Sequence, residues 1–84
     1  MAQIIKADGT VERVVPTNPP HFSLTELQAA VGGYIEHVAL AGKMSLLVNE
    51  DGIRLNLPPN ARASQIAGTG IVGDALLIAG DEWE

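Results

Sequence analysis

Apolar residues along this chain fall into short β-branched blocks or polar–apolar alternation, and they reach helical spacing in only two places. The first two blocks are residues 3–6, Gln-Ile-Ile-Lys, and 11–15, Val-Glu-Arg-Val-Val. Between them lies Ala7-Asp8-Gly9-Thr10, and Asp-Gly accepts the positive φ of a tight turn, so the pattern predicts a β-hairpin. Pro16, Pro19 and Pro20 end that pattern, because proline lacks an amide donor and restricts the residue before it. Leu24, Leu27, Ala30 and Val31 then share one face at helical spacing. Ser23 and Glu26 are spaced as a capping box before this helix, and Gly32-Gly33 offers the left-handed stop after it.

The second half alternates again. Residues 34–40 and 44–49 read as strands joined at Ala41-Gly42-Lys43, and Asp51-Gly52 turns the chain into a short third strand, 53–55. Leu57-Pro58-Pro59 breaks the ladder, and Asn60 is placed to cap a brief helix over 61–67 that Gly68 ends. Ile71-Val72 and residues 75–79 read as strand segments, with Gly73-Asp74 between them as a turn or bulge. The acidic tail, 80–84, is expected to fray. The order predicts a single α+β domain over 1–84: a mostly antiparallel sheet, a main helix at 24–31 across one face, and a second short helix at 61–67.

Composition adds an assembly expectation. An 84-residue chain that is 46% hydrophobic and 18% charged is apolar for its size, so part of its surface is expected to lie in a subunit interface, with a dimer favoured. The net charge is −5, and Lys6, Arg13, Lys43, Arg54 and Arg62 are scattered, which disfavours binding to duplex nucleic acid. Cysteine is absent, so there is no thiolate metal site. No apolar run reaches the roughly 18 residues of a membrane span and no signal peptide is evident, so a cytoplasmic protein is expected.

Candidate chemistry is sparse. Glu36, Glu50, Asp51 and Asp74 lack the spacing of a cation-binding loop, and Glu50-Asp51-Gly52 reads as a solvated turn. His21 and His37 have no third ligand nearby in sequence, and a strand histidine bonded to a neighbour explains His37. Ser23 is accounted for as a cap, while Ser45 and Ser64 lie in no nucleophile elbow. The glycines of Gly68-Thr69-Gly70-Ile71-Val72-Gly73 imitate a dinucleotide loop, but they follow a helix and open a strand, the reverse of what that loop requires. No catalytic residue, cofactor or metal is therefore expected. What remains is Tyr34, Asn49, Asn60 and Arg62, with Lys43 as an outlier: a stacking face, two amides able to read a base edge, and cations for a phosphate. Each also has a structural explanation, as core, turn, cap or solvated helix residue.

Val31-Gly32-Gly33-Tyr34-Ile35-Glu36, Val48-Asn49-Glu50-Asp51-Gly52 and Leu57-Pro58-Pro59-Asn60-Ala61, with the Asp8-Gly9-Thr10 turn, Leu27-Gln28 and Ile71-Val72-Gly73, resemble a family of small domains of unknown function common in phages and plasmids. Asp74 stands where many such sequences carry proline. The resemblance implies a mobile-element origin, a compact α+β fold and no established catalytic residues. By analogy with phage proteins that soak up nucleotide messengers of host defence, the expected function is non-enzymatic sequestration of a small phosphate-bearing ligand in the host cytoplasm. The alternative is a protein-interaction module that inhibits a host enzyme through an acidic surface and an exposed sheet edge. A third reading has Glu36 and His37 acting in an enzyme.

Overall fold

The computed structural model describes residues 2–19, 21–80 and 83. β1 (Ala2–Ile5) and β2 (Val11–Val14) form the expected hairpin. Gly9 takes φ 94° in its turn, and the Asp8 carboxylate accepts from the Thr10 amide and hydroxyl. α1 (Leu24–Val31) begins at a complete capping box: the Glu26 amide donates to Ser23 Oγ, and the Ser23 amide donates to the Glu26 carboxylate. Gly32, at φ 79°, ends it. β3 (Ile35–Ala39) and β4 (Met44–Asn49) pair across a 3₁₀ turn at Ala41–Lys43. α2 (Ala61–Ala67) is capped by Asn60 and closed by Gly68, and β5 (Ala75–Ala79) follows.

The sheet order is β2-β1-β5-β4-β3, and every neighbouring pair is antiparallel. The last strand in sequence thus takes the middle of the sheet, and β3 and β2 are its edges. Strand residues alternate between two faces, so each face must find its own cover. On one, Ala2, Leu47, Leu76 and Ile78 pack with Phe22 and Leu27, under α1. On the other, Ile5, Leu46, Val48 and Ala75 pack with Ala63 and Ile71, under α2 and the chain after it. Because β4 is covered on both sides, Leu46, Leu47 and Val48 are buried in succession, as in strands of any doubly covered sheet. Each of these side chains is worth about 1.5–3 kcal/mol by removal from water.

Three local expectations are corrected. Residues 53–55 form no strand: Leu55 N–H donates to Asp51 O and Asn56 N–H to Ile53 O, closing a compact turn. β4 already has β3 and β5 on its two sides, so no ladder position was left for a third strand there. Ile71-Val72 contributes only an isolated bridge, from Val72 to Pro59. Of the tail expected to fray, Asp81, Glu82 and Glu84 lie outside the described residues, while Trp83 is half-buried, packs on the α1-side core and bridges Phe22. Among the described residues no helix is long and apolar enough to cross a membrane.

Candidate functional site

The five residues expected to hold a ligand are distributed by the topology over two ends of the sheet. Tyr34 lies just before β3, where the Glu50 amide donates to its carbonyl, and the residue is 68% exposed. Asn49, at the end of β4, is buried. Its amide nitrogen donates to Val31 O at 3.1 Å and its oxygen accepts from Asp51 N–H at 2.8 Å, so it ties α1 to the β4 turn. Asn60 lies at the same end of the sheet and is 1% exposed. Its oxygen accepts from Ala63 N–H, and its nitrogen donates to Ile5 O and Gly73 O. Both asparagine amides are therefore occupied in holding elements together. Arg62 is exposed on α2, two residues beyond that cap. Lys43 sits at the opposite end of β4, about 20 Å away at the rise of an extended strand, with φ 62° and its carbonyl accepting from Gly80 N–H.

A groove opens at the Tyr34–Asn49 end. It has a volume of about 260 Å³ and is lined by Glu36 and Val38 of β3, Val48 and Asn49 of β4, Glu50, Gly52 and Ile53 of the turn, and the 69–72 segment after α2. Gly52 sets its shape: a Cβ there would stand 2.7 Å from Val72 Cγ2, so only glycine lets the two walls meet. Glu36 faces Val48 across the ladder, and Glu50 follows two residues later opposite Tyr34. The two residues are thus diagonal neighbours on one face, their backbones about 7–8 Å apart. Among the described residues no lysine or arginine lines the groove.

Beside it stands an apolar ridge. Ile53 is 86% exposed and Leu55 51% exposed, on a turn held by Leu55 N–H to Asp51 O, Leu57 N–H to Gly52 O, and an Arg54–Asp51 ion pair at 3.2 Å. The ridge is consequently preorganised rather than loose. Ile53-Arg54-Leu55 matches a strand's alternation equally well, so nothing in the sequence marks it as a ridge.

One polar pair was legible only through register. His37 Nε2 lies 2.8 Å from Ser45 Oγ, and the Trp83 ring meets the imidazole edge-on, centroids 5.2 Å apart at 74°. The hairpin pairs Ala39 with Ser45 and His37 with Leu47, which puts His37 and Ser45 diagonally on one face. The distance suits a base and a hydroxyl, but Ser45 is 5% exposed, and a nucleophile must be reachable. The pair staples β3 to β4. Among the described residues no group of three metal-ligating side chains converges. Asp74 accepts from Ala7 N–H at 2.9 Å and ties the first hairpin to the start of β5.

No curated protein and no solved structure matches this chain. The model of a domain of unknown function, DUF3846, matches residues 2–84, and the chain belongs to that family.

Proposed function

We propose that this protein is a non-catalytic binding module whose working surface is the groove below β3 and β4 together with the Ile53–Leu55 ridge and the exposed Tyr34 at the same end of the sheet. Its target is a protein segment that presents a basic side chain beside apolar ones. The observation that carries this reading is the groove's lining: two carboxylates and an apolar floor, with no lysine or arginine. A phosphate placed there would face Glu36 and Glu50 without a counter-charge, whereas a lysine or arginine would be paired by both. Exposed Ile53 on the groove's lining and exposed Tyr34 at the same end of the sheet supply large apolar anchors of the kind from which interfaces draw most of their energy. Of the two expected modes, blocking of a partner protein is therefore favoured over nucleotide sequestration. With a phage or plasmid origin, the blocked protein belongs to the host and the encounter takes place in its cytoplasm.

Panning a random peptide library against the purified protein tests this. Sequences alternating apolar and basic residues are expected to be enriched, and the enrichment should vanish on Glu36→Lys and on Ile53→Asp. Enrichment that survives both substitutions, or calorimetric binding of cyclic dinucleotides or ADP-ribose by the same protein, would return the sequestration reading to first place.

A further inference from the structure

β3 is an edge strand with no neighbour on its outer side among the described residues. The direction of its free backbone groups follows from its bonds to β4. Glu50 N–H donates to Tyr34 O and Leu40 N–H donates to Met44 O, so the even-numbered residues of this strand turn their amides and carbonyls inward. In an antiparallel ladder the alternate residues point the other way. Ile35, His37 and Ala39 therefore offer three N–H and three C=O groups outward. The strand carries neither proline nor lysine, two of the devices that keep edges from pairing.

From this edge we infer that two copies of the chain associate through antiparallel β3–β3 pairing, with the two-fold axis at His37. A continuous sheet with an axis normal to it pairs residues of equal parity, which leaves few registers. Centred on His37, Ile35 meets Ala39 of the other copy, His37 meets His37, and Ala39 meets Ile35. All three are hydrogen-bonded pairs of two bonds each. In the same register Glu36 of each copy faces Val38 of the other, so no acid opposes an acid. A shift centred on Glu36 sets carboxylate against carboxylate, and one centred on Val38 forfeits a hydrogen-bonded pair. The other edge is a poorer candidate. In β2 the Lys6 N–H to Thr10 O bond fixes Val11 and Arg13 as outward-facing, and the symmetric registers then oppose Arg13 to Arg13 or Glu12 to Glu12. Pro16 closes that strand.

This pairing extends the candidate groove as well as the sheet. Val38 lines the groove, and the second copy brings its Glu36 alongside that wall, so each groove is bordered by a residue of the other subunit. Backbone direction and side-chain register alone set this pairing, whatever the groove binds.

The chain has no cysteine, so single introduced thiols report register directly. Facing residues of a non-hydrogen-bonded antiparallel pair have Cβ atoms close enough for a disulfide. Glu36→Cys mixed with Val38→Cys, under oxidised glutathione, should give a covalent dimer that neither variant forms alone. Light scattering should show a dimer for the unmodified protein. Ala39→Pro, which removes one outward donor per copy, should weaken association by about 10- to 100-fold while leaving the far-ultraviolet spectrum unchanged. Cross-linking of Glu36→Cys or Val38→Cys with itself would overturn the register, and a monomer at high micromolar concentration would overturn the pairing.

Discussion

Asn60→Ala should be among the most damaging substitutions of a polar residue in this protein, although asparagine in a loop is usually replaced at little cost. The side chain is 1% exposed and makes three hydrogen bonds, to Ala63 N–H, Ile5 O and Gly73 O. The first is the α2 cap, worth about 1 kcal/mol. The other two stitch α2 to β1 and to the entry of β5, and leaving such carbonyls unpaired costs about 1 kcal/mol each at the lower end of the range. The sum is about 3 kcal/mol, a large share of the roughly 4–12 kcal/mol that a chain of this length holds in reserve. Circular dichroism should register it as a fall in Tm of about 10–20 °C. Asn60→Asp separates the parts: the cap oxygen survives, but an acceptor replaces the amide and faces two carbonyls. At neutral pH it should be at least as harmful as alanine. Because those carbonyls raise the folded pKa of the introduced carboxyl, the penalty should fade as acid protonates it and restores one donor. A loss below about 0.5 kcal/mol for Asn60→Ala, on the scale of an ordinary exposed residue, would refute this account of Asn60.

Four further outcomes follow from single observations. Gly73 has φ 77°, and a Cβ there would lie 2.7 Å from Leu57 Cδ1, so Gly73→Ala should cost about 2–3 kcal/mol in urea melts. Gly70→Ala, with nothing within 4 Å, should cost little. The Ser23 and Thr17 amides donate to Glu26 and lower its pKa to about 2. A depressed folded pKa contributes stability that is present above the unfolded value near 4.5 and lost as pH falls toward 2, so Glu26→Gln should flatten the Tm profile across that window. Ser23→Ala should cost about 0.5–2 kcal/mol by removing the same box, with binding at the groove unchanged in calorimetry.

The fold was legible where a residue's local chemistry allows one answer. Asp8-Gly9, the Ser23–Glu26 box, Gly32, Asn60 and Gly68 all occupy the turn, cap and stop positions that their side chains and φ tolerance dictate. What escaped was long-range. Nothing local announces that β5 inserts between β1 and β4, and that insertion is what excludes residues 53–55 from the ladder and puts α2 on the face opposite α1. The candidate site was less legible for the same reason. Tyr34, Asn49 and Asn60 do reach one end of the sheet, but the two asparagine amides are consumed by contacts to Val31, Ile5 and Gly73, distant in sequence. Lys43 is carried to the far end by a strand whose direction the sequence does reveal. The exposed Ile53 and Leu55 became a ridge only once the neighbouring strand positions were filled.

The measurement closest to the central proposal is amide chemical-shift mapping of the labelled protein, titrated in parallel with a peptide enriched by panning and with a panel of cyclic dinucleotides and ADP-ribose. The proposed surface predicts shifts confined to the groove and its exposed apolar border, Tyr34, Glu36, Glu50, Ile53, Leu55 and Thr69, with the peptide, and none with the nucleotides. Shifts gathered around Arg62 on adding nucleotide, with the groove silent to peptide, would contradict it.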